Sequence, residues 1–352
     1  MLLRIKKRTG KIIFTGILAV FFTGIYEVIL RVRGLKPFIP AIHNVKYEPG
    51  FIFAPSAIYG YSLKPGRFKF ILSDLDSLVF SPLHTNDSTR ATRPHNLESN
   101  YIHQKEIYLF GASYTYGIGV EDSCTFSWLL QKEFKNYNLV NYGVPGYGPI
   151  HALIRLKHQI ANRQIPAAVV LIYSWYHDNT NTLPRRSRET IARFSNIDNA
   201  GFIERSNVPF IELDNDSVFT VKYRKYSSFY TEWPLRRRSA LVNLLETKYN
   251  ELEESFHHSH QATKAIIKEI NILCTQNKIK FIVAGITNHD QTKDMLNFCR
   301  DQNIHNTDIS LDLNSGNNYR IHKKDSHPNA SAHAIYASRL LSVIKNALPE
   351  ER

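Results

Sequence analysis

Cysteine is scarce in this chain of 352 residues: Cys124, Cys274 and Cys299 are all there is. Their spacing fits neither a zinc site nor the framework of a disulfide-stapled domain. A Cys274–Cys299 pair and three unpaired thiols both stay open. Acid is also in short supply, with 31 Asp and Glu against 44 Lys and Arg and a formal net charge of +13. A basic balance suits nucleic acid, an anionic membrane surface or an acidic polymer. Zinc-finger spacing, an RNA-binding signature and a concentrated basic arm are all missing, so no nucleic-acid partner is expected. The runs RRSR at 185–188 and RRR at 236–238 are short and read as solvated surface. Metal-ligand patterns are missing too. His257, His258 and His260 have no carboxylate or cysteine at ligand spacing and read as an exposed polar face. Hydrophobic residues make up 43%, which excludes global disorder and allows a sizeable core.

One long apolar run is present, from Ile12 to Leu30, with Glu27 its only charge. Arg4, Lys6, Lys7, Arg8 and Lys11 precede it. About 19 residues of helix span a hydrocarbon core of roughly 30 Å. A cleaved signal peptide is the alternative. No small-x-small cleavage site precedes Arg31, and an uncleaved anchor is the expectation. The positive-inside rule then puts the basic tail in the cytoplasm and the rest of the chain outside it. The expected divisions are a tail and anchor at 1–33, a lead-in at 34–104 and a main domain at 105–348. The lead-in is rich in Pro, Gly, Asn and aromatics, and should pack on the main domain.

The main domain begins with an apolar run, Ile107 to Phe110, ending at Gly111. That pattern predicts a buried strand and a tight turn bearing Ser113. Phe126, Leu129, Leu130 and Phe134 recur at helical spacing. A second strand, Tyr137 to Tyr142, runs into a Gly/Pro cluster at 143–148. Pro149 and Ile150 start a helix. Further apolar runs at 167–172, 280–284 and about 309–313 predict more strands, the first buried on both faces. Strands alternating with helices predict a parallel, doubly wound sheet. Residues 180–238 break the rhythm and read as an insertion with a small hairpin. Leu241, Leu244, Leu245, Leu252 and Phe256 predict an amphipathic helix, and Ala265 to Leu273 a second one or its continuation. Asn329 is the expected N-cap of the last helix.

A serine hydroxyl needs a base, and the base needs an acid to hold it. Asp325 lies two residues from His327, close enough to bond one ring nitrogen and turn the other toward Ser113. Acyl transfer also needs donors for the developing oxyanion. The Ser113 and Gly146 amides are the candidates, since glycine at 146 permits close backbone approach.

GASYTYG at 111–117, followed by NYGVPG at 141–146, resembles the first two blocks of the SGNH/GDSL hydrolases. Trp175-Tyr176-His177-Asp178 falls on the third block, and Asp325, His327, Pro328 and Asn329 on the fifth. The resemblance covers about 105–345. It implies a three-layer α/β/α, flavodoxin-like fold. It also implies hydrolysis or transfer of esters, often O-acyl groups on carbohydrates, with no metal and no organic cofactor. Ser113 would be nucleophile, His327 general base and acid, and Asp325 the orienting acid. Ser113, Gly146 and His177 would form the oxyanion hole.

The chain departs from the family at three places. Ala112 replaces an aspartate before the nucleophile. His177 stands at an asparagine donor's position, where either its N–H or Asn179 would supply the bond. Asp178 and Asn179 are the possible supports beside it. The spacing Asp325-x-His327 is tighter than the broad family's. The expected function is a membrane-anchored, extracytoplasmic serine esterase. An O-acyltransferase of a cell-surface glycan and a non-catalytic envelope binding protein are the alternatives. Oligomeric state is not legible.

Overall fold

The computed structural model describes residues 2–39, 45–94, 104–194, 206–214, 218–226, 230–313 and 318–348. The chain divides into two compact units. One comprises Met1–Ile42 and Tyr230–Phe256, the other His43–Phe229 and His257–Arg352.

The first unit holds the N-terminal helix, Leu2–Val32, and the helix Ala240–Ser255. The segment Ile13–Val32 has 20 residues, a mean hydropathy of 2.1 and only 6% of its length buried. At 1.5 Å per residue it reaches about 30 Å, long and apolar enough to cross a membrane. The basic side chains at 4–8 lie outside the described residues.

The second unit is built on five parallel strands: β1 (Lys105–Phe110), β2 (Tyr137–Asn141), β3 (Ala168–Tyr173), β4 (Lys280–Thr287) and β5 (His305–Leu311). Their order is β2-β1-β3-β4-β5. This is the flavodoxin-like order, in which the winding reverses between β1 and β3. The sheet is covered on both faces. On one, Tyr108, Phe110, Val169, Leu171, Phe281 and Val283 pack with helices α2 (Pro149–Ala161), α3 (Ser259–Gln276) and α4 (Asp290–Asp301). On the other, Ile107, Leu109, Val170, Ile172, Ile282 and Ala284 pack with α1 (Phe126–Glu133) and α5 (Ala330–Ala347). The period of two along each strand sends neighbours to opposite layers. It explains why β3 is buried at every position. The architecture is therefore three-layer α/β/α.

Local chemistry fixes the helix starts. Pro149 occupies the first turn of α2, where a missing N–H costs nothing. Asn329 caps α5, its Oδ1 accepting from the Ala332 amide at 3.1 Å, as the sequence predicts. Cys274 and Cys299 are both buried and unpaired, and Cys124 is also free. Burial pushes the two buried thiols up to about 12. The helices before and after residue 257 are separate: His258 adopts a left-handed φ of 46° between them.

Residues 45–84 form short antiparallel pairs, including Phe53–Ser56 with Gly60–Leu63. Their aromatic side chains make a third cluster. Tyr61, Phe68, Phe70 and Phe80 close over Tyr116, Val144 and Tyr147, which belong to the loops after β1 and β2. The 180–238 stretch carries the hairpin Asn207–Asp214 and Val218–Lys225, and Val208 and Phe210 join the same cluster. Within that stretch 195–205, 215–217 and 227–229 lie outside the described residues, and Tyr230 onward belongs to the first unit.

The loops after β1 and β2 meet backbone to backbone. A Cβ on Gly143 would lie 2.5 Å from the Tyr116 nitrogen and 2.7 Å from the Thr115 carbonyl carbon. Neither atom can swing aside as a side chain would. Gly143→Ala is expected to cost about 2–3 kcal/mol of stability through overpacking. Thermal unfolding of the variant measures it, and an unchanged Tm would contradict the close approach.

Candidate active site

Ser113 follows the carboxyl end of β1 after Gly111 and Ala112. It opens a one-turn helix, Ser113–Tyr116, which Gly117 ends at φ 84°. The turn expected from sequence is thus a helix start. The Ser113 carbonyl accepts from the amides of Gly117 and Ile118, at 2.9 and 3.2 Å. Its hydroxyl and its own amide have no hydrogen-bond partner among the described residues. The Gly146 amide is equally unengaged. Gly146 needs its φ of +84° to turn the chain after β2, and a Cβ there would meet the Tyr61 oxygen at 2.6 Å. Tyr61 donates to the Pro145 carbonyl at 2.8 Å, while the Tyr147 hydroxyl donates to the Tyr61 carbonyl. The segment before the sheet thus grips the Gly146 loop from two sides.

His327 is not in a loop, as the sequence suggested. It lies in a short strand, Asp325–Pro328, paired antiparallel with Arg320–His322. Extended backbone puts side chains i and i+2 on one side, which brings Asp325 and His327 together. Asp325 Oδ1 accepts from the ring Nδ1 at 2.6 Å and from the His327 amide at 2.9 Å. The carboxylate therefore fixes the proton on Nδ1 and leaves Nε2 as the acceptor. Both side chains are 24% exposed, so solvent-borne molecules reach them. Tyr114, next to Ser113, sets its ring edge-on to His327 at 5.4 Å and donates to the Ser326 carbonyl at 3.1 Å. Residues more than 200 positions apart in sequence are joined by that contact. No hydrogen bond links Ser113 to His327 among the described residues.

His177 follows β3 at the point where the winding reverses. Burial, with His327 nearby, lowers its pKa to about 4, so the ring is a neutral donor at pH 7. Asp178 does not face this site. Its carboxylate accepts from Tyr173 at 2.9 Å and meets His260 Nδ1 at 2.7 Å. His260 also reaches Asp294 at 2.8 Å. That corrects the sequence expectation of an exposed polar face at His260, where the fold supplies the carboxylates; His258 is exposed, as expected. Burial alone would depress the His260 pKa, but the Asp178 and Asp294 contacts override it and raise it. Asn179 sits half-buried in the short helix Asp178–Thr182.

Three residues the sequence did not single out hold the site. Arg90 is fully buried. Its Nε donates to Asp122 at 2.9 Å, and its two terminal nitrogens donate to the carbonyls of Tyr116, Gly117 and Val120. His84 donates from Nδ1 to the Lys64 carbonyl at 2.9 Å and accepts from Tyr116 at 2.8 Å. Asn181 accepts from the Ile150 amide at 2.9 Å and donates to Thr263 at 2.8 Å, steadying the start of α2. No local pattern marks these residues, because each partner is distant in sequence. A small cavity lies beneath the loops, lined by Ala112, Gly148, His151, Ser174 and His177.

Removing a buried charged partner typically costs about 3–5 kcal/mol. Arg90→Met is expected to lose stability on that scale, as a lower midpoint in urea; a loss near zero would show that the buried ligand set is dispensable. Burial also lowers the pKa of His84 to about 4 and of His151 and His333 to about 3. These imidazoles fold neutral but titrate near 6.5 when unfolded. Their contribution is complete well above pH 6.5 and is lost as pH falls from there through about 4 for His84 and about 3 for His151 and His333. Tm measured against pH should fall through that window; a flat profile would contradict the neutral imidazoles.

No protein-family model matches the chain, and no curated protein matches it. Solved structures do. TesA is 13% identical with a TM-score of 0.38, covering 69% of this chain and 100% of its own. A member of the lipolytic protein G-D-S-L family from Veillonella parvula is also 13% identical at 0.38, covering 68% and 98%. A family two carbohydrate esterase from Cellvibrio japonicus is 12% identical at 0.34, covering 69% and 61%. The chain is similar to these proteins at scores too low to carry any chemistry, which rests on the residues described above.

Proposed function

We propose that this chain is a serine esterase of the SGNH type. The observation that carries the reading is the Asp325–His327 pair. Its imidazole has one nitrogen fixed by a carboxylate at 2.6 Å and lies beside the one-turn helix that starts at Ser113, whose hydroxyl has no hydrogen-bond partner among the described residues. In the proposed reaction Ser113 Oγ attacks the acyl carbon of an ester. Its proton passes to His327 Nε2, and Asp325 steadies the imidazolium. The Ser113 and Gly146 amides, with the neutral His177 N–H, receive the developing oxyanion. The leaving alcohol takes the proton from His327. Water then enters by the reverse path and frees the acid. Asp178 acts as support for the His177 turn.

The substrate class we favour is an O-acylated glycan. Tyr176, beside His177, is 50% exposed; Trp175 stacks on His289 at 4.1 Å and meets the Tyr176 ring at a tilt, 4.4 Å away. Such a ring surface suits the apolar face of a sugar. The Ile13–Val32 helix serves as a membrane anchor in this reading, with the second unit on the extracytoplasmic side.

Hydrolysis of a short-chain aryl acetate by the full chain in detergent tests the reading. Ser113→Ala and His327→Ala are each expected to lower kcat/KM by a factor of about 10³ or more. Labelling by a fluorophosphonate should vanish in Ser113→Ala. Hydrolysis that survives Ser113→Ala would refute the assignment.

A further inference from the structure

The helix Ala240–Ser255 carries an apolar stripe that its own unit leaves uncovered. Leu245, Tyr249, Leu252 and Phe256 are 51%, 47%, 58% and 70% exposed. Their spacing of four, three and four puts them on one line along the helix. Buried Glu246 and Asn250 face the other way. Exposed rows of this kind need a partner.

The start of the same helix is fastened to the apolar N-terminal helix by a charge. Glu27 lies inside the Ile13–Val32 segment. Its carboxylate accepts from the Ser239 hydroxyl and from the amides of Ala240 and Leu241, all at 2.8 Å. Arg31 donates to it at 2.6 Å. An acid in an apolar span is costly unless it is paired. Here it satisfies the open N–H groups of a helix N-terminus, where negative charge is favoured. Glu27 lies five residues before Val32, about 7.5 Å along the helix axis. The first turn of the second helix is held at that depth.

Cations ring the same end. Arg33, Lys36, Arg237 and Arg238 are exposed. Arg236 stacks on Phe38 at 4.0 Å, and Trp233 packs against Tyr249 at 5.4 Å. Aromatic and cationic residues next to an apolar span fit the headgroup layer, and cations favour anionic lipid there.

We propose that the helix Ala240–Ser255, with Phe256, lies in the interface of an anionic lipid bilayer, its stripe against the acyl chains and its start drawn in by Glu27. This rests on the Ile13–Val32 helix being inserted, and not on the esterase reading.

The test uses the full chain in vesicles containing anionic lipid with brominated acyl chains. An environment-sensitive fluorophore is attached to Leu252→Cys or to the polar-face control Glu251→Cys, each with Cys124→Ser. The expected result is blue-shifted emission at 252 that brominated lipid quenches, with neither effect at 251. Glu27→Gln should weaken the quenching at 252 while leaving the chain resistant to carbonate extraction. Three results would overturn the proposal. If the 252 label is as water-exposed as the 251 label in extraction-resistant protein, the stripe is not interfacial although the anchor stands. If the 252 label is blue-shifted but unquenched, protein covers the stripe instead of lipid. If carbonate releases the chain, the inserted helix itself is refuted.

Discussion

The buried guanidinium of Arg90 is the constraint on which the candidate site depends. An isolated charge in a protein interior is strongly disfavoured, so it stays only where it is paired and hydrogen-bonded. Arg90 meets Asp122 and three carbonyls of the 116–120 segment, and its plane lies over Tyr116 at 4.8 Å. That segment is the continuation of the Ser113 helix. Its path is thereby dictated by a residue from before the sheet. Arg90 also bridges to Asn141 at the end of β2, its amide donating at 3.1 Å. One residue ties together the exits of β1 and β2, the two strands whose loops bear Ser113 and Gly146.

The sheet order does the rest. Because the winding reverses between β1 and β3, the loops after these neighbouring strands leave toward opposite layers and open a crevice at their carboxyl ends. Ser113 and His177 stand on its two sides. The Asp325–His327 strand arrives from the far end of the chain and docks through Tyr114. Behind His177, the Tyr173–Asp178–His260–Asp294 contacts lock the short helix that follows it to α3 and α4. The site is thus polar at its surface and braced by buried hydrogen bonds beneath.

Much of the fold was legible because its signals are local. Period-two burial along 107–110 and 168–173, the Pro149 start and the Asn329 cap need only neighbours in sequence to be read. The Asp325–His327 pair was legible for the same reason: two residues of extended chain suffice. What could not be read involves partners far apart. His260 looked like part of an exposed polar face because Asp178 and Asp294 lie 82 and 34 positions away. Arg90 and His84 drew no notice in a lead-in rich in Pro, Gly, Asn and aromatics, since most of their partners lie at 116–122 and at Asn141, beyond local reach.

Local pattern alone specified the apolar helix of membrane-spanning length, the alternation of buried strands with helices, and the few residue types able to act as nucleophile and base. Those follow from hydropathy, backbone propensity and side-chain reactivity, which each residue carries wherever it sits. Which of them meet depends on the fold. The fold set the strand order, left the amides of Ser113 and Gly146 without partners among the described residues, kept His177 neutral and used Glu27 as a helix cap. These are properties of position and burial. A proton's place on an imidazole, or the cost of a buried charge, depends on what the fold brings within about 3 Å of it.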